Sequence, residues 1–381
     1  MIINQNLEAR QKTIVHVLNG LDFGGNENLC LQILKHSSPD VQNVLVNLNS
    51  EHLEMLPLFE KVPNLLIINQ DYQRDRHLKF VFELTLLLKR LCPQGILIYP
   101  FGVHIFIGLA ARFAGISSIG VSAGNTPPNE PSMRSTWKKI IVISRLLRMP
   151  IYSCSNTVQK SLDKLTKLPH GSHPILNGCD VTGISTQANS SRERRIANSV
   201  KVIGMVARLN KIKDHQTLIQ AFNIINQKFP ETELWLVGDV EEKEVLQNLT
   251  KQLGLTEKII FWGNRSDVPE LLGQMDIYAF STTDDEGFGI ALIEARAAGL
   301  PIVASDAPAC REVTGNGEAV VLVPQGDSMV MAQELEQLLV SEEKRIYRGK
   351  RGYQYAVNNH SIQECARKWN EVLLNKTGNY Q

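Results

Sequence analysis

The feature that most constrains this chain is one pattern that runs through it twice. Short apolar runs alternate with longer amphipathic ones, first through residues 13–154 and again through 200–323. In the first pass 13–18, 41–48, 65–68, 95–98, 117–121 and 151–154 read as strands, with helices between them such as 26–36 and 74–91. In the second pass the strands are 200–207, 233–237, 259–262, 277–281, 302–304 and 319–323. Helix 214–228 separates the first two and puts Leu218, Phe222 and Ile225 on one face. Strand–helix alternation predicts a parallel sheet covered on both faces, so the class is α/β with two doubly wound sheets in series. At 381 residues the chain also exceeds the usual size of a single core. Residues 181–199 are polar, lack an apolar period and are expected to be a linker. The expected organisation is therefore 1–180, linker 181–199, 200–360, and a terminal segment 361–381.

Composition excludes several classes. The formal net charge of +1 gives no reason to expect nucleic acid or a strongly acidic partner. Six cysteines are scattered without a Cys-x-x-Cys pair, which suits reduced thiols in a cytosolic protein and not a zinc site or disulfide framework. The N-terminus does not read as a signal peptide, and no apolar run is long enough to span a bilayer. No Gly-x-Gly-x-x-Gly follows a strand and no Walker-type loop is present, which argues against a dinucleotide oxidoreductase.

Residues 286–299 read Glu-Gly-Phe-Gly-Ile-Ala-Leu-Ile-Glu-Ala-Arg-Ala-Ala-Gly. Gly287 and Gly289, on either side of Phe288, remove side chains where the backbone bends or something approaches closely. The glycine turn opens a helix, whose first-turn N–H groups favour an anion. Glu286 precedes the turn, and Glu294 lies two helical turns in, between Ile293 and Ala295. An anion seat with two carboxylates suits a sugar phosphate, with hydroxyls at the carboxylates. The plain alternative is a helix with an acidic flank and one ordinary glutamate. Arg208 and Lys213 follow the strand at 200–207. They are either two solvated surface cations or a pair that neutralises a diphosphate. In the loop Gly20-Leu-Asp-Phe-Gly-Gly-Asn-Glu27, Gly24 and Gly25 form either a tight turn or a close approach to phosphate.

Glu-x7-Glu spanning Gly-Phe-Gly, followed by Ala-Ala-Gly-Leu-Pro-Ile-Val-Ala-Ser-Asp, closely resembles the signature of retaining glycosyltransferases of the GT-B fold, sequence family four. Arg208 and Lys213 are similar to the family's Arg-x4-Lys element. Val-Gly-Asp at 237–239 and Phe-Trp-Gly-Asn-Arg at 261–265 are similar to further elements of the same domain. Gly24 and Gly25 resemble the Gly-Gly-x-Glu loop of the other domain, and 175–180 resembles an Asn-Gly-x-Asp turn before the linker. The likeness covers nearly all of 200–325. It implies two Rossmann-like domains facing a cleft, with the final helix folding back on the first. It gives Glu294 the ribose hydroxyls, and Glu286 with the backbone of Gly287, Phe288, Gly289 and Ile290 the donor sugar and phosphates. It gives Arg208 and Lys213 the pyrophosphate, where cations lower the barrier by meeting the charge of the leaving group. Asn264 and Arg265 fall where backbone contacts to the base are expected, a structural turn being the alternative. Gly24 and Gly25 would close over the donor. Arg208, Lys213 and Glu286 are the expected catalytic residues.

The resemblance has one departure. Two histidines frequent in the family's first domain align with Ala123 and with Tyr99 or Pro100, and the nearby His104 is expected to be packed. This bears on the sugar and acceptor and keeps an inactive, nucleotide-sugar-binding scaffold in view. Asp284, Asp285 and Glu286 could hold Mg²⁺ against a diphosphate, but the resemblance implies metal independence and no cofactor. Residues 133–149 carry five cations and no acid, with Arg134, Lys138, Arg145 and Arg148 on one helical face and Trp137, Ile140 and Leu147 away from it. That segment is either a domain helix with its basic side in water or a peripheral contact with an anionic membrane. The expected function is transfer of a sugar from a nucleoside-diphosphate sugar, a UDP-sugar foremost, to an acceptor hydroxyl with retention, in polysaccharide, glycolipid or other glycoconjugate synthesis. The expected location is the cytoplasm or the inner membrane face. A sugar-nucleotide epimerase on the same fold and the non-catalytic scaffold are the alternatives.

Overall fold

A computed structural model describes residues 12–195, 200–238 and 242–374. The chain divides into two compact units, 1–176 with 362–381 and 177–361. The first contains β1 (Lys12–Leu18), α1 (Gly25–Lys35), β2 (Val41–Asn47), α2 (Leu56–Phe59), β3 (Leu65–Asn69), α3 (His77–Leu91), β4 (Gly95–Ile98), α4 (His104–Phe113), β5 (Ser118–Ala123), α5 (Pro131–Leu146), β6 (Ile151–Ser153) and α6 (Asn156–Leu165). The second contains α7 (Val181–Glu193), β7 (Lys201–Val206), a 3₁₀ turn (Lys211–Lys213), α8 (His215–Lys228), β8 (Thr232–Val237), α9 (Lys243–Gln252), β9 (Ile259–Gly263), α10 (Val268–Gln274), β10 (Ile277–Phe280), α11 (Ile290–Ala297), β11 (Ile302–Ser305), α12 (Pro308–Thr314), β12 (Val320–Val323), α13 (Ser328–Val340) and α14 (Glu342–Asn359). The last helix, α15 (Ile362–Leu373), belongs to the first unit.

Both sheets are parallel and six-stranded, in the orders β3-β2-β1-β4-β5-β6 and β12-β11-β10-β7-β8-β9. Each is the doubly wound order 3-2-1-4-5-6, whose winding reverses between its first and fourth strands. Strands such as β4, β5 and β11 are buried along their whole length, as a sheet covered on both faces requires. Right-handed crossovers place α1 and α2 on one face of the first sheet and α3, α4 and α5 on the other. α15 packs beside α1. Trp369, Cys365 and Leu373 enter the core, and Ser118 Oγ donates to the Val372 carbonyl at 2.9 Å. Two glycines make room for it: a Cβ on Gly95 would lie 2.4 Å from the Leu373 oxygen, and one on Gly120 3.2 Å from the Trp369 ring. Among the described residues no helix is long and apolar enough to cross a membrane.

The stretch expected to be a linker is instead helical over Val181–Glu193, while 196–199 lie outside the described residues. Asp180 caps α7, accepting from the Gly183 N–H at 2.9 Å. Val181, Ile184, Ala188 and Ser191 are buried at helical spacing and face α10. The contact is close because it is built from small residues. A Cβ on Gly273 would sit 2.2 Å from the Ala188 oxygen, and Gln274 Nε2 donates to Ser191 Oγ at 2.8 Å. Past Val181 and Ile184 this face continues only with alanine and serine, too little to sustain an apolar period, which is why composition reads the stretch as polar.

Candidate active site

In a doubly wound sheet ligands bind beyond the carboxyl ends of the strands where the winding reverses. In the second unit that point lies between β7 and β10. The ladder there pairs only Ile277 with Ile203 and Tyr278 with Gly204. Beyond it the Tyr278 hydroxyl takes over, donating to the Val206 carbonyl at 3.1 Å and accepting from its N–H at 3.2 Å. The strands therefore part while their polar groups stay satisfied, and burial drives the Tyr278 phenol well up from its usual range.

The loops leaving these strands are sewn to each other. The Ile212 carbonyl accepts from Thr282 Oγ1 and the Thr283 N–H, both at 2.9 Å, and the Lys213 carbonyl accepts from Ser281 Oγ at 3.1 Å. The Thr282 N–H is held by Ser305 Oγ at 3.0 Å. Asn210 and Asp214 cap the 3₁₀ turn and α8. These bonds fix the Lys213 backbone opposite the turn that carries Glu286.

Lys213 Nζ and Glu286 Oε2 form an ion pair across the loops, with side chains 18% and 9% exposed. Lys213 Nζ also stands 5.0 Å from the centre of the Phe280 ring, a cation–π contact. Thr282 Oγ1 lies 3.4 Å from the same carboxylate oxygen, and the Phe288 N–H donates to the other at 3.4 Å. Gly289 follows with φ +85°, a left-handed conformation that glycine adopts without cost, and α11 starts on it without a side-chain cap. The first-turn N–H groups at Ile290 are thus offered to an anion. Glu294 is half-buried on α11. Its charge, after burial, helps push the Cys179 thiol up. His215, the first residue of α8, is buried with neither ring nitrogen hydrogen-bonded. Burial, with the charge of Lys213 behind it, lowers its pKa to about 3.

The structure brings Lys213, Glu286, Gly287, Phe288, Gly289 and Ile290 together in one place, with Glu294 on the helix that follows. Arg208 is exposed just past β7 and makes no ion pair among the described residues. Asn264 is exposed beyond β9. Arg265 is committed to Asp267 through bonds of 2.7 and 2.6 Å and lies over Trp262 at 5.3 Å. Asp239 lies outside the described residues. Asp284 accepts from Gln325 Nε2 at 2.6 Å while Glu286 turns to Lys213, so these acids point to different partners. Gly24 and Gly25 lie in the first unit, where Gly24 is the N-cap of α1 and a Cβ on Gly25 would meet nothing within 4 Å. His104 is packed. Its Nδ1 accepts from the Gly102 N–H at 2.9 Å, Nε2 lies 2.8 Å from Ser144 Oγ, and burial lowers its pKa to about 3. Sequence reasoning missed Tyr278 and the Ser281-Thr282-Thr283 run, whose only signal is three hydroxyl residues just past a buried strand.

Residues 186–355 match the family model of glycosyl transferases group 1. The chain is 31% identical over 160 residues to an N-acetyl-alpha-D-glucosaminyl L-malate synthase of Bacillus anthracis, covering 42% of either chain. It is 30% identical over 228 residues to the capsular polysaccharide biosynthesis glycosyltransferase CapM of Staphylococcus aureus, covering 59% of this chain and 58% of that one. The matched regions thus span about half the length of these relatives. Among solved structures, Anabaena HepE in complex with UDP-glucose superposes with a TM-score of 0.81 at 20% identity, covering 95% of this chain and 99% of that one. The second unit thus carries the sequence pattern of the group 1 glycosyl transferases, and the chain as a whole has the GT-B fold.

Proposed function

We propose that this protein is a retaining glycosyltransferase that moves a sugar from a nucleoside-diphosphate sugar, a UDP-sugar foremost, to an acceptor hydroxyl in polysaccharide, glycolipid or other glycoconjugate synthesis. The observation that carries this reading is the Lys213–Glu286 pair set beside the uncapped start of α11 at the switch point of the second sheet. Lys213 and Arg208 would take the diphosphate, with the N–H groups at Ile290 meeting its charge as the glycosidic bond breaks. Displacing Glu286 from Lys213 by phosphate would free that carboxylate for sugar hydroxyls. Glu294 would hold the ribose, backbone near Asn264 and Arg265 the base, and Gly24 and Gly25 the donor from the first unit. With two cations and a helix start on the leaving group, no metal is required, and the departing phosphate can take the acceptor proton on the same face. The UDP-glucose bound by HepE supports the donor class, and the capsular polysaccharide relative supports a polysaccharide product. Peripheral contact of 133–149 with an anionic membrane on the cytoplasmic side belongs to this reading. α5 supplies Lys138 and Arg145 exposed, while Arg148, at φ +52°, lies past the helix end.

A thermal-shift panel of UDP, GDP, ADP and their sugar conjugates, with Mg²⁺ and with chelator, tests the donor site, since a ligand of the folded state raises its melting temperature. Stabilisation by the uridine series in chelator is expected. No shift from any nucleotide would sink the assignment. Product anomers read by NMR test retention. Donor consumed without acceptor would indicate the epimerase, and donor bound but never turned over the scaffold.

A further inference from the structure

α3, α4 and α5 form one layer on the first sheet. The His77 and Phe106 rings stack 4.2 Å apart and join α3 to α4. Arg112 Nε donates to the Leu147 carbonyl at 2.8 Å and ties α4 to the end of α5. Each helix buries its inner side, α3 through Phe80, Val81, Leu84 and Leu88. The outer side is not polar as a water-facing layer should be. Leu78 is 85% exposed, Phe82 63% and Leu86 41%, at i, i+4 and i+8 along α3. Phe113 of α4 is 61% exposed and Leu146 of α5 76%. Large apolar side chains in one contiguous layer mark an interaction surface.

The charge of the layer identifies what covers it. Across α3, α4 and α5 there are eight Lys and Arg residues against one acid, Glu83. That is a net +7 in a chain whose total is +1, so the remainder carries −6. Glu83 is itself engaged, with Lys79 at 3.7 Å and Gln70 at 3.2 Å. A second copy of this face would bring +7 against +7. A nucleic acid would neutralise the cations and leave the leucines and phenylalanines in water. An anionic bilayer satisfies both, with lipid headgroups at the cations and the acyl boundary at the apolar side chains.

We infer that the outer face of α3 and α4, continued by α5, is a membrane-docking surface, with Leu78, Phe82, Leu86 and Phe113 entering an anionic lipid leaflet. This rests on the lipid-surface part of the proposed function and not on its sugar chemistry. It moves the apolar part of the contact from 133–149 to α3 and α4.

The test is co-sedimentation of the full chain with phosphatidylcholine vesicles, alone or with roughly one third phosphatidylglycerol. Binding to the anionic vesicles and weakening by salt are expected. Leu78→Ser with Phe82→Ser should lower the partition coefficient by roughly tenfold to a hundredfold, because two exposed apolar side chains no longer leave water. Val340→Ser with Ile346→Ser, exposed apolar positions of the second unit, should bind like the parent. A first-unit melting transition unchanged in the α3 variant shows that it folds, and because no nucleotide enters this measurement the result stands apart from the donor assignment. No binding by the parent, or undiminished binding by the α3 variant, overturns the inference. So does a concentration-dependent dimer abolished by the α3 substitutions, which gives the face to a second copy.

Discussion

Lys213 and Glu286 lie 73 positions apart, yet the site turns on their contact. Each was singled out in the sequence, one with a diphosphate in view and the other with sugar hydroxyls. That they pair in the free protein was not legible there, because it depends on β7 and β10 being neighbours, and strand order is not written in a local pattern. The pair is mostly buried, so removing one partner strands the other charge. Lys213→Met should therefore destabilise the second unit by about 2–3 kcal/mol and lower transfer by about a hundredfold or more. Adding Glu286→Gln should restore stability without restoring turnover. Urea melts and initial rates read the two effects separately, and a stable, active Lys213→Met would remove the pair from the mechanism. Glu294→Ala should act differently, weakening donor binding about tenfold through lost charged hydrogen bonds to hydroxyls. Titration of UDP by calorimetry checks it, and unchanged affinity would take the ribose away from Glu294.

Elements were legible where large β-branched and aliphatic residues carry the period. The twelve strands follow from their apolar runs, with ends that differ by a residue or two, as at β5, which runs Ser118–Ala123 against an expected 117–121. α8 follows from Leu218, Phe222 and Ile225, all buried. α7 was missed because its contact with α10 uses Ala188, Ser191 and Gly273, where closeness replaces side-chain volume. Gly273→Ala is the corresponding test. The new methyl would meet backbone, not the end of a flexible side chain, so the helices must move apart, at about 2–3 kcal/mol. Faster tryptic cleavage at Arg192, Arg194 and Arg195 should follow, and digestion at the parent rate would show that the two helices are not tightly docked.

For the whole molecule, burial of histidine sets the acid limit. His16 and His360 are pushed down to about 4, and His104 and His215 to about 3, burial being the largest cause in each. The folded chain refuses protons that the unfolded chain accepts below about 6.5, so this contribution is complete above that pH and is lost as pH falls towards 4. Each histidine contributes a slope of about 1.4 kcal/mol per pH unit in that window. Two lie in each unit, so each unit should lose about 3 kcal/mol per pH unit between 6 and 5. Calorimetry should show both unfolding transitions moving down together, and two units are a reason to fit them separately. His215 allows a sharper version. Its ring nitrogens have no hydrogen-bond partner, so an apolar ring forfeits no bond there. His215→Phe should halve the acid slope of the second unit, leave the first unchanged, and stabilise the second below pH 6. A slope unaltered by that substitution would mean that its acid sensitivity has another source, with His360, whose pKa burial lowers to about 4, the next group to replace.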